Sequence, residues 1–339
     1  MAVSGAHASV SPATDRAGGL PPFSARTRLL VVAPHPDDET IATGLLIQQV
    51  RAAGGEVRIL LLTAGDNNPW PQRWLERRLL IRAADRRRWG RRRHAEVLQA
   101  LQTLGVPEPA LQSLGWPDMG LTEVLLQANG AAMATLATAI GEFRPDLVAV
   151  PALSDRHPDH GTAHVLVRLA LAGQARPPAL LTYLVHGREE SHRSVEIRGT
   201  AAQSANKRAA LAAHRSQMAL SGKRLARLAA RPERYAYAEV AETSPGAATA
   251  LPWQPPMWLR PWLQLSVASA AGVHSWRWRD APLQRDPAGC FHLPPAGAEH
   301  PRFVRLALTL RSPWIFDHWG WCELPGRSRG AAAALAQAG

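Results

Sequence analysis

The sequence predicts an α/β protein: a Rossmann-like open, mostly parallel sheet with helices on both faces, plus a small C-terminal antiparallel β module. Three observations carry that expectation. Apolar runs of strand length, Leu29-Leu30-Val31-Val32-Ala33 and VRILLLT at residues 57–63, lack polar alternation, as strands covered on both faces do. Helix-length segments separate them. Clusters of polar side chains follow the apolar runs, where open α/β sheets place their ligands.

Residues 1–25, rich in Ala, Ser, Gly and Pro, read as a flexible lead-in to a domain at 26–243. A first strand at 29–33 leads to a helix at 40–53, closed by Gly54-Gly55. The second strand, 57–63, ends in the polar turn Ala64-Gly65-Asp66-Asn67-Asn68, and a long basic helical region then runs to Gly105. A short strand at 111–114 enters Gly115-Trp116-Pro117-Asp118. A helix at 121–143, a strand at 147–151 and a helix at 161–173 follow. Short strands at 180–185 and 195–197, a helix at 207–220 and a strand at 235–240 complete the domain. Residues 244–257, rich in Pro, Gly and Ala, read as a linker. In the module at 258–325, Val304, Leu306, Leu308 and Leu310 alternate with Arg305, Ala307 and Thr309, and Leu263, Leu265 and Val267 alternate likewise. Eight of the twelve tryptophans lie from Trp253 onward, either as the core of this sheet or as a face that stacks on sugar rings. Residues 326–339 read as a flexible tail.

With 46% hydrophobic and 19% charged residues over 339 positions, the chain has the composition of a globular protein, which excludes global disorder. Two cysteines make neither a disulfide framework nor a zinc ribbon. The N-terminal stretch lacks a basic-then-apolar signal pattern, and no apolar run is long enough to span a membrane, so a cytoplasmic location is expected. The net charge of +12 is uneven: ten arginines lie between Arg73 and Glu96, against Glu76, Asp85 and Glu96. Such a stretch is a solvated helical face, or an attractor for an anionic substrate or membrane surface. No nucleic-acid-binding motif accompanies it, so nucleic acid is not an expected partner.

His35-Pro36-Asp37-Asp38-Glu39 follows the first strand, and Asp155-Arg156-His157-Pro158-Asp159-His160 follows the fourth. His35 and Asp38, three apart on a first helical turn, can face one metal ion, and His160 supplies a third ligand. Zinc accepts this His/Asp mixture and, in hydrolytic sites, keeps a position open for water, whose pKa it lowers toward about 7. Asp37, beside the ligands but outside the set, is the natural general base. His157 is placed to protonate a leaving nitrogen or steady an oxyanion. The alternative for the first cluster is a strand-to-helix turn with Asp as N-cap.

These motifs resemble the PIG-L (LmbE-like) family of zinc-dependent N-deacetylases, which act on N-acetylglucosamine-containing molecules. The family's His-Pro-Asp-Asp-Glu matches residues 35–39, and its His-Pro-Asp-His matches residues 157–160. Supporting features are Arg93-x-x-Glu96, Leu114-Gly115-Trp116-Pro117-Asp118, Arg144-Pro145-Asp146 and His214-Arg215-Ser216-Gln217. The resemblance, covering residues 28–240, implies zinc on His35, Asp38 and His160, although Fe2+ or another divalent ion suits the same donors. It implies Asp37 as general base and His157 as general acid or electrostatic partner. It also implies substrate contacts for Arg93 and Asp118, whose alternatives are a helical pair with Glu96 and a turn cap. Glu39, Asp155 and Asp159 are expected to orient the histidines, and His164 to be an ordinary helix residue. The turn at 63–68 departs from the family's Gly-Glu-x-Gly style, which bears on the substrate rather than the chemistry.

The expected activity is removal of an N-acetyl group from an N-acetylglucosamine-containing conjugate, anionic or neutral, with peripheral membrane contact left open. A related amidase cleaving a larger acyl or thiol-conjugate amide keeps the same metal site. A non-catalytic protein binding an anionic polymer or membrane surface would have no use for Asp37.

Overall fold

The computed structural model describes residues 19–187, 194–238, 249–294, 301–309 and 316–324. Seven strands form the main sheet: β1 (Arg28–Ala33), β2 (Glu56–Thr63), β3 (Leu111–Trp116), β4 (Leu147–Pro151), β5 (Ala179–Tyr183), β6 (Val195–Ile197) and β7 (Glu233–Tyr237). Their order is β3-β2-β1-β4-β5-β7-β6. The first five are parallel, and β7 runs against both its neighbours. From β1 the chain builds outward to β2 and β3, then crosses back to start the other side at β4. The β1–β4 boundary is therefore a topological switch point, where the connections diverge and leave a crevice.

Among the described residues, seven α-helices cover the sheet: α1 (Asp38–Ala52), α2 (Pro69–Glu76), α3 (Ala83–Thr103), α4 (Leu121–Phe143), α5 (Pro158–Leu171), α6 (Ala201–Ala213) and α7 (Arg215–Ala229). The two-residue period of β1 distributes its side chains between two cores. Leu29, Val31 and Ala33 pack with α1, α3, α6 and α7, whereas Leu30 and Val32 pack with α4 and α5. The unbroken apolar run is thus explained by burial on both faces.

The helices after β1 and β4 start earlier than periodicity indicates, at Asp38 and Pro158, so His/Asp-rich residues fall in their first turns. The basic region is two helices. Pro69 opens α2, Asn68 caps it by accepting from the Trp70 N–H, and Arg77 ends it in the left-handed region at φ 51°. The single helix expected at 207–220 is also two, broken at His214, whose ψ of 56° is not helical. There the Ser216 N–H and hydroxyl turn to the Glu96 carboxylate instead of continuing a helix. Of the strand expected at 235–240, residues 239–240 lie outside the described residues, as do Leu310, residues 1–18 and the tail.

The C-terminal part comprises β8 (Thr249–Ala250), β9 (Leu263–Ser269), β10 (Gly272–Arg277), β11 (Gln284–Arg285), β12 (Phe291–Leu293), β13 (Arg302–Leu308) and β14 (Gly320–Glu323). They form two antiparallel sheets, β10-β9-β13-β14 and β11-β12-β8. Part of the stretch read as a linker is therefore β8, paired with β12; residues 244–248 lie outside the described residues. The larger sheet presents Ala268, Phe303 and Trp321 to α4 and α5, and Leu265, Val304 and Leu306 to a core with Trp278 and Phe291. Trp278 and Trp321 are core residues, while Trp258 and Trp262 are exposed. The contact is pinned by Trp321 Nε1 donating to Thr162 Oγ1 at 3.0 Å and by a forked Arg168–Glu323 pair at 2.7 and 3.0 Å. Among the described residues, no single helix is long and apolar enough to cross a membrane.

Glu233 at the start of β7 ties α1 and α6 to the sheet. Its buried carboxylate accepts from Lys207 Nζ at 2.6 Å, the Leu45 and Leu46 N–H groups at 2.7 and 2.9 Å, and the Tyr235 hydroxyl at 2.8 Å. Removing one partner strands the other charge without water, which costs about 3–5 kcal/mol. Glu233→Ala is therefore expected to lower unfolding free energy by about that amount. Urea titration checks this; a change below about 1 kcal/mol would show that the pair is not buried in solution.

Candidate metal centre

The loops leaving β1 and β4 at the switch point bring the two sequence clusters together. Because α1 begins at Asp38, His35 and Asp38 lie across one turn. Asp38 Oδ2 accepts the His35 backbone N–H at 2.9 Å and lies 3.3 Å from His35 Nδ1. His160, in the first turn of α5, places Nε2 3.2 Å from Asp38 Oδ2 and 3.3 Å from His35 Nδ1. Three lone-pair atoms thus form a nearly equilateral triangle. Tetrahedral zinc with bonds of about 2.0–2.1 Å spaces neighbouring ligand atoms about 3.3–3.4 Å apart. Donor chemistry and spacing both fit such an ion.

The outer nitrogen of each imidazole faces carboxylate. His35 Nε2 lies 3.2 Å from Asp159 Oδ2 and 3.3 Å from Asp118 Oδ1. Asp155 Oδ2 lies 3.1 Å from His160 Nδ1, a charge contact rather than an aligned hydrogen bond. These carboxylates are themselves anchored. Asp159 accepts the Met119 and Leu121 N–H groups, Asp155 accepts those of His157, Val185 and His186, and Asp118 accepts that of Asn67. Such outer partners fix the tautomer and orientation of metal-binding imidazoles. Burial opposes charge on His160, but Asp155 and Asp38 outweigh it and push its pKa up to about 10. Burial likewise opposes charge on His35, and its bonds to Asp118, Asp159 and Asp38 raise it well above the usual histidine range. A field that favours positive charge on two buried rings also attracts a cation.

Asp37 occupies the N-cap position of α1, yet its side chain makes no capping bond, so the simple cap does not describe it. Its backbone has φ 113°, ψ −27°, a conformation costing a non-glycine residue about 1–3 kcal/mol. The surroundings enforce it. Glu39 accepts the Asp37 N–H at 2.9 Å and is held by Thr40 Oγ1 at 2.7 Å and His214 Nε2 at 3.0 Å. Burial would raise Glu39, but the His214 charge keeps it low. Burial drives the Asp37 carboxyl up to about 6, against the downward pull of Arg93.

Arg93, only 4% exposed, reaches from α3 and donates to the carbonyls of Pro36 and Gly65, with Nη2 3.7 Å from Asp37 Oδ2. It therefore clamps the loops after β1 and β2, while Glu96 binds Ser216 and Arg92 instead. Gly65 is required by this clamp: its φ is +60°, and a Cβ would sit 1.9 Å from Arg93 Nη1. Asp118 likewise has both oxygens engaged, one by His35 and one by the Asn67 N–H at 2.6 Å.

His157 lies beside the triangle, its ring centroid 4.6 Å from His35 and 5.0 Å from His160. Its Nδ1 accepts the Asp159 N–H at 3.2 Å, so the neutral ring carries its proton on Nε2. Burial, reinforced by the neighbouring His35 and His160, holds it far below the usual histidine pKa. His164 lies apart in α5, with Nδ1 2.9 Å from the Pro151 carbonyl.

Two residues had no role in the sequence reading. His186, just past β5, lies 5.0 Å from His160 and 5.5 Å from His157 by ring centroid. Its only sequence signal was its place after an apolar strand. His214 was visible within a motif, but its buried contact with Glu39 was not. Among the described residues, other donor groups within 4.8 Å are His35/His157/His160, Asp38/His160/His186 and His35/Asp118/Asp159. His186 Nδ1 lies 2.9 Å from Arg224 Nη2. In the His35/Asp38/His160 triangle all three separations are 3.2–3.3 Å, and the outer nitrogen of each imidazole faces a carboxylate.

The chain is similar in sequence and in fold to known proteins. The model of the PIG-L family, GlcNAc-PI de-N-acetylase, matches residues 30–171. The 1D-myo-inositol 2-acetamido-2-deoxy-alpha-D-glucopyranoside deacetylase of Mycolicibacterium gilvum (strain PYR-GCK) is 36% identical over 161 residues, 44% of this chain and 55% of the relative. The protein of the same name from Rhodococcus opacus (strain B4) is 34% identical over 167 residues, 44% of this chain and 56% of the relative. The chain thus spans about half the length of the curated relatives it matches. The fold is shared with N,N'-diacetylchitobiose deacetylase from Pyrococcus horikoshii, at TM-score 0.50 and 19% identity, over 64% of this chain and 85% of that one. Residues 30–171, the span that matches the PIG-L family model, carry both His/Asp clusters.

Proposed function

We propose that the chain is a metal-dependent hydrolase removing the N-acetyl group from an N-acetylglucosamine-containing conjugate, with zinc as its metal. The observation that carries this reading is the donor triangle of His35, Asp38 and His160 with the Asp37 carboxylate held beside it but outside it. The relatives in Mycolicibacterium and Rhodococcus are named as deacetylases of a 2-acetamido glucoside, which supports the substrate class.

His35 Nδ1, Asp38 Oδ2 and His160 Nε2 would hold the metal. When bound, it polarises an amide carbonyl and makes water a better nucleophile at neutral pH. The Asp37 carboxylate accepts the proton of the attacking water and can return it. The Glu39–His214 pair and Arg93 keep Asp37 in its strained backbone position through the Pro36–Gly65 clamp. The His157 Nε2–H donates a hydrogen bond to the developing oxyanion, its suppressed basicity keeping the ring a neutral donor, and the proton that Asp37 took from the water passes to the departing nitrogen. Asp118 holds His35 from behind. Arg93 and Asp118 act in this account by positioning the machinery, with their atoms committed to protein partners. A protein that only bound its ligand would gain nothing from the strain at Asp37.

Equilibrium dialysis against zinc is expected to load a single ion on the full chain. His160→Ala or Asp38→Ala should abolish loading, and Asp155→Asn should weaken it about 10–100-fold through the lost outer contact. Equal zinc uptake by wild type and His160→Ala would remove the triangle from consideration.

Acetate release from a panel of N-acetylglucosaminides tests the reaction. Asparagine tolerates positive φ, so Asp37→Asn should keep fold and metal while lowering kcat by roughly 10²–10⁴-fold. An Asp37→Asn protein that turns over at the wild-type rate would exclude the proposed base. Metal-loaded protein releasing no acetate from any panel member would exclude the substrate class.

A further inference from the structure

The α2–α3 connection presents large apolar side chains to solvent inside a field of arginines, and none of them serves the site. Trp70 and Trp74, one helical turn apart, are 64% and 67% exposed, and Leu79 and Leu80 at the tip are 87% and 74% exposed. The hairpin beneath is fixed. Pro71 and Gln72 are buried, Gln72 Nε2 donates to the Asp85 carbonyl at 2.8 Å, and α2 packs against α7. Exposed arginines flank the tip. Arg78 and Arg88 pair with Asp85, but among the described residues Arg77, Arg87 and Arg91 contact no carboxylate.

We propose that this hairpin is a docking surface for an anionic lipid bilayer. The chemistry is complementary at each level: leucines at the tip for hydrocarbon, tryptophans for the headgroup boundary, arginines for lipid phosphates. A second copy of the chain fits poorly, because a self-complementary contact would press one arginine field against another. Nucleic acid would engage the arginines but leave Leu79 and Leu80 without a partner. Asn68, which caps α2, follows Asn67, whose N–H is held by Asp118. The proposal stands independently of the reaction catalysed.

Co-sedimentation of the full chain with lipid vesicles tests it. Neutral vesicles of phosphatidylcholine are compared with vesicles in which about a third of that lipid is replaced by phosphatidylglycerol. The expected result is binding to the anionic vesicles that weakens as salt rises. Arg87→Gln with Arg91→Gln should weaken it by about fivefold per arginine. Leu79→Ser with Leu80→Ser should also weaken it, with the net charge unchanged. These side chains are exposed, so thermal midpoints should match wild type, and the two variants test the charged and apolar halves separately. Absence of binding to anionic vesicles at low salt would overturn the proposal. Vesicle binding unchanged in both variants would overturn it as well. So would failure to bind vesicles alongside retention on a DNA duplex, or a dimer abolished by the leucine changes.

Discussion

Three lone pairs pointing at one buried spot are unfavourable unless positive charge lies among them. His35 Nδ1, Asp38 Oδ2 and His160 Nε2 converge to within 3.2–3.3 Å of one another, and the surrounding chain is arranged to keep them there. Asp118, Asp155 and Asp159 hold the imidazoles from outside, and backbone N–H groups from the loops after β2, β3, β4 and β5 hold those carboxylates. The loops are consequently ordered by the same charges that orient the two imidazoles. Removing an outer carboxylate would loosen both a ring and a loop.

Topology makes the convergence available. β1 and β4 are neighbours in the sheet but distant in sequence, and their outgoing connections diverge, so helices α1 and α5 start side by side. Each contributes the first turn of its helix. Asp37 is the strained point of this arrangement, fixed by Glu39, His214 and the Arg93 clamp. The C-terminal sheets are coupled to the same region. Trp321 and Glu323 bind α5, and Asp317 donates its N–H to the Arg156 carbonyl, leaving the Phe316 ring 5.5 Å from His186.

Much of this was legible because burial on both sheet faces writes itself into composition. The runs at Leu29–Ala33 and 57–63 could only be central strands, and the His/Asp clusters just past such strands marked the site. What the sequence could not carry is pairing across long separations. Nothing local says that Glu39 meets His214, that Arg93 closes on Gly65 rather than Glu96, or that His186 joins the histidine cluster. The break at His214 was missed for the same reason. Residues 207–220 are helix-compatible throughout, and the interruption comes from tertiary contacts to Glu39 and Glu96. The two basic helices were blurred because arginines suit helices everywhere and carry no boundary signal.

The central claim is that one metal ion sits inside the His35–Asp38–His160 triangle. Anomalous diffraction at the zinc edge, from crystals of the metal-loaded protein, tests it most directly. The account predicts one strong peak bonded to His35 Nδ1, Asp38 Oδ2 and His160 Nε2, with Asp37 beside it and unbonded. A peak held instead by His35 Nε2 with Asp118 and Asp159, or one coordinated by His186, would contradict the account.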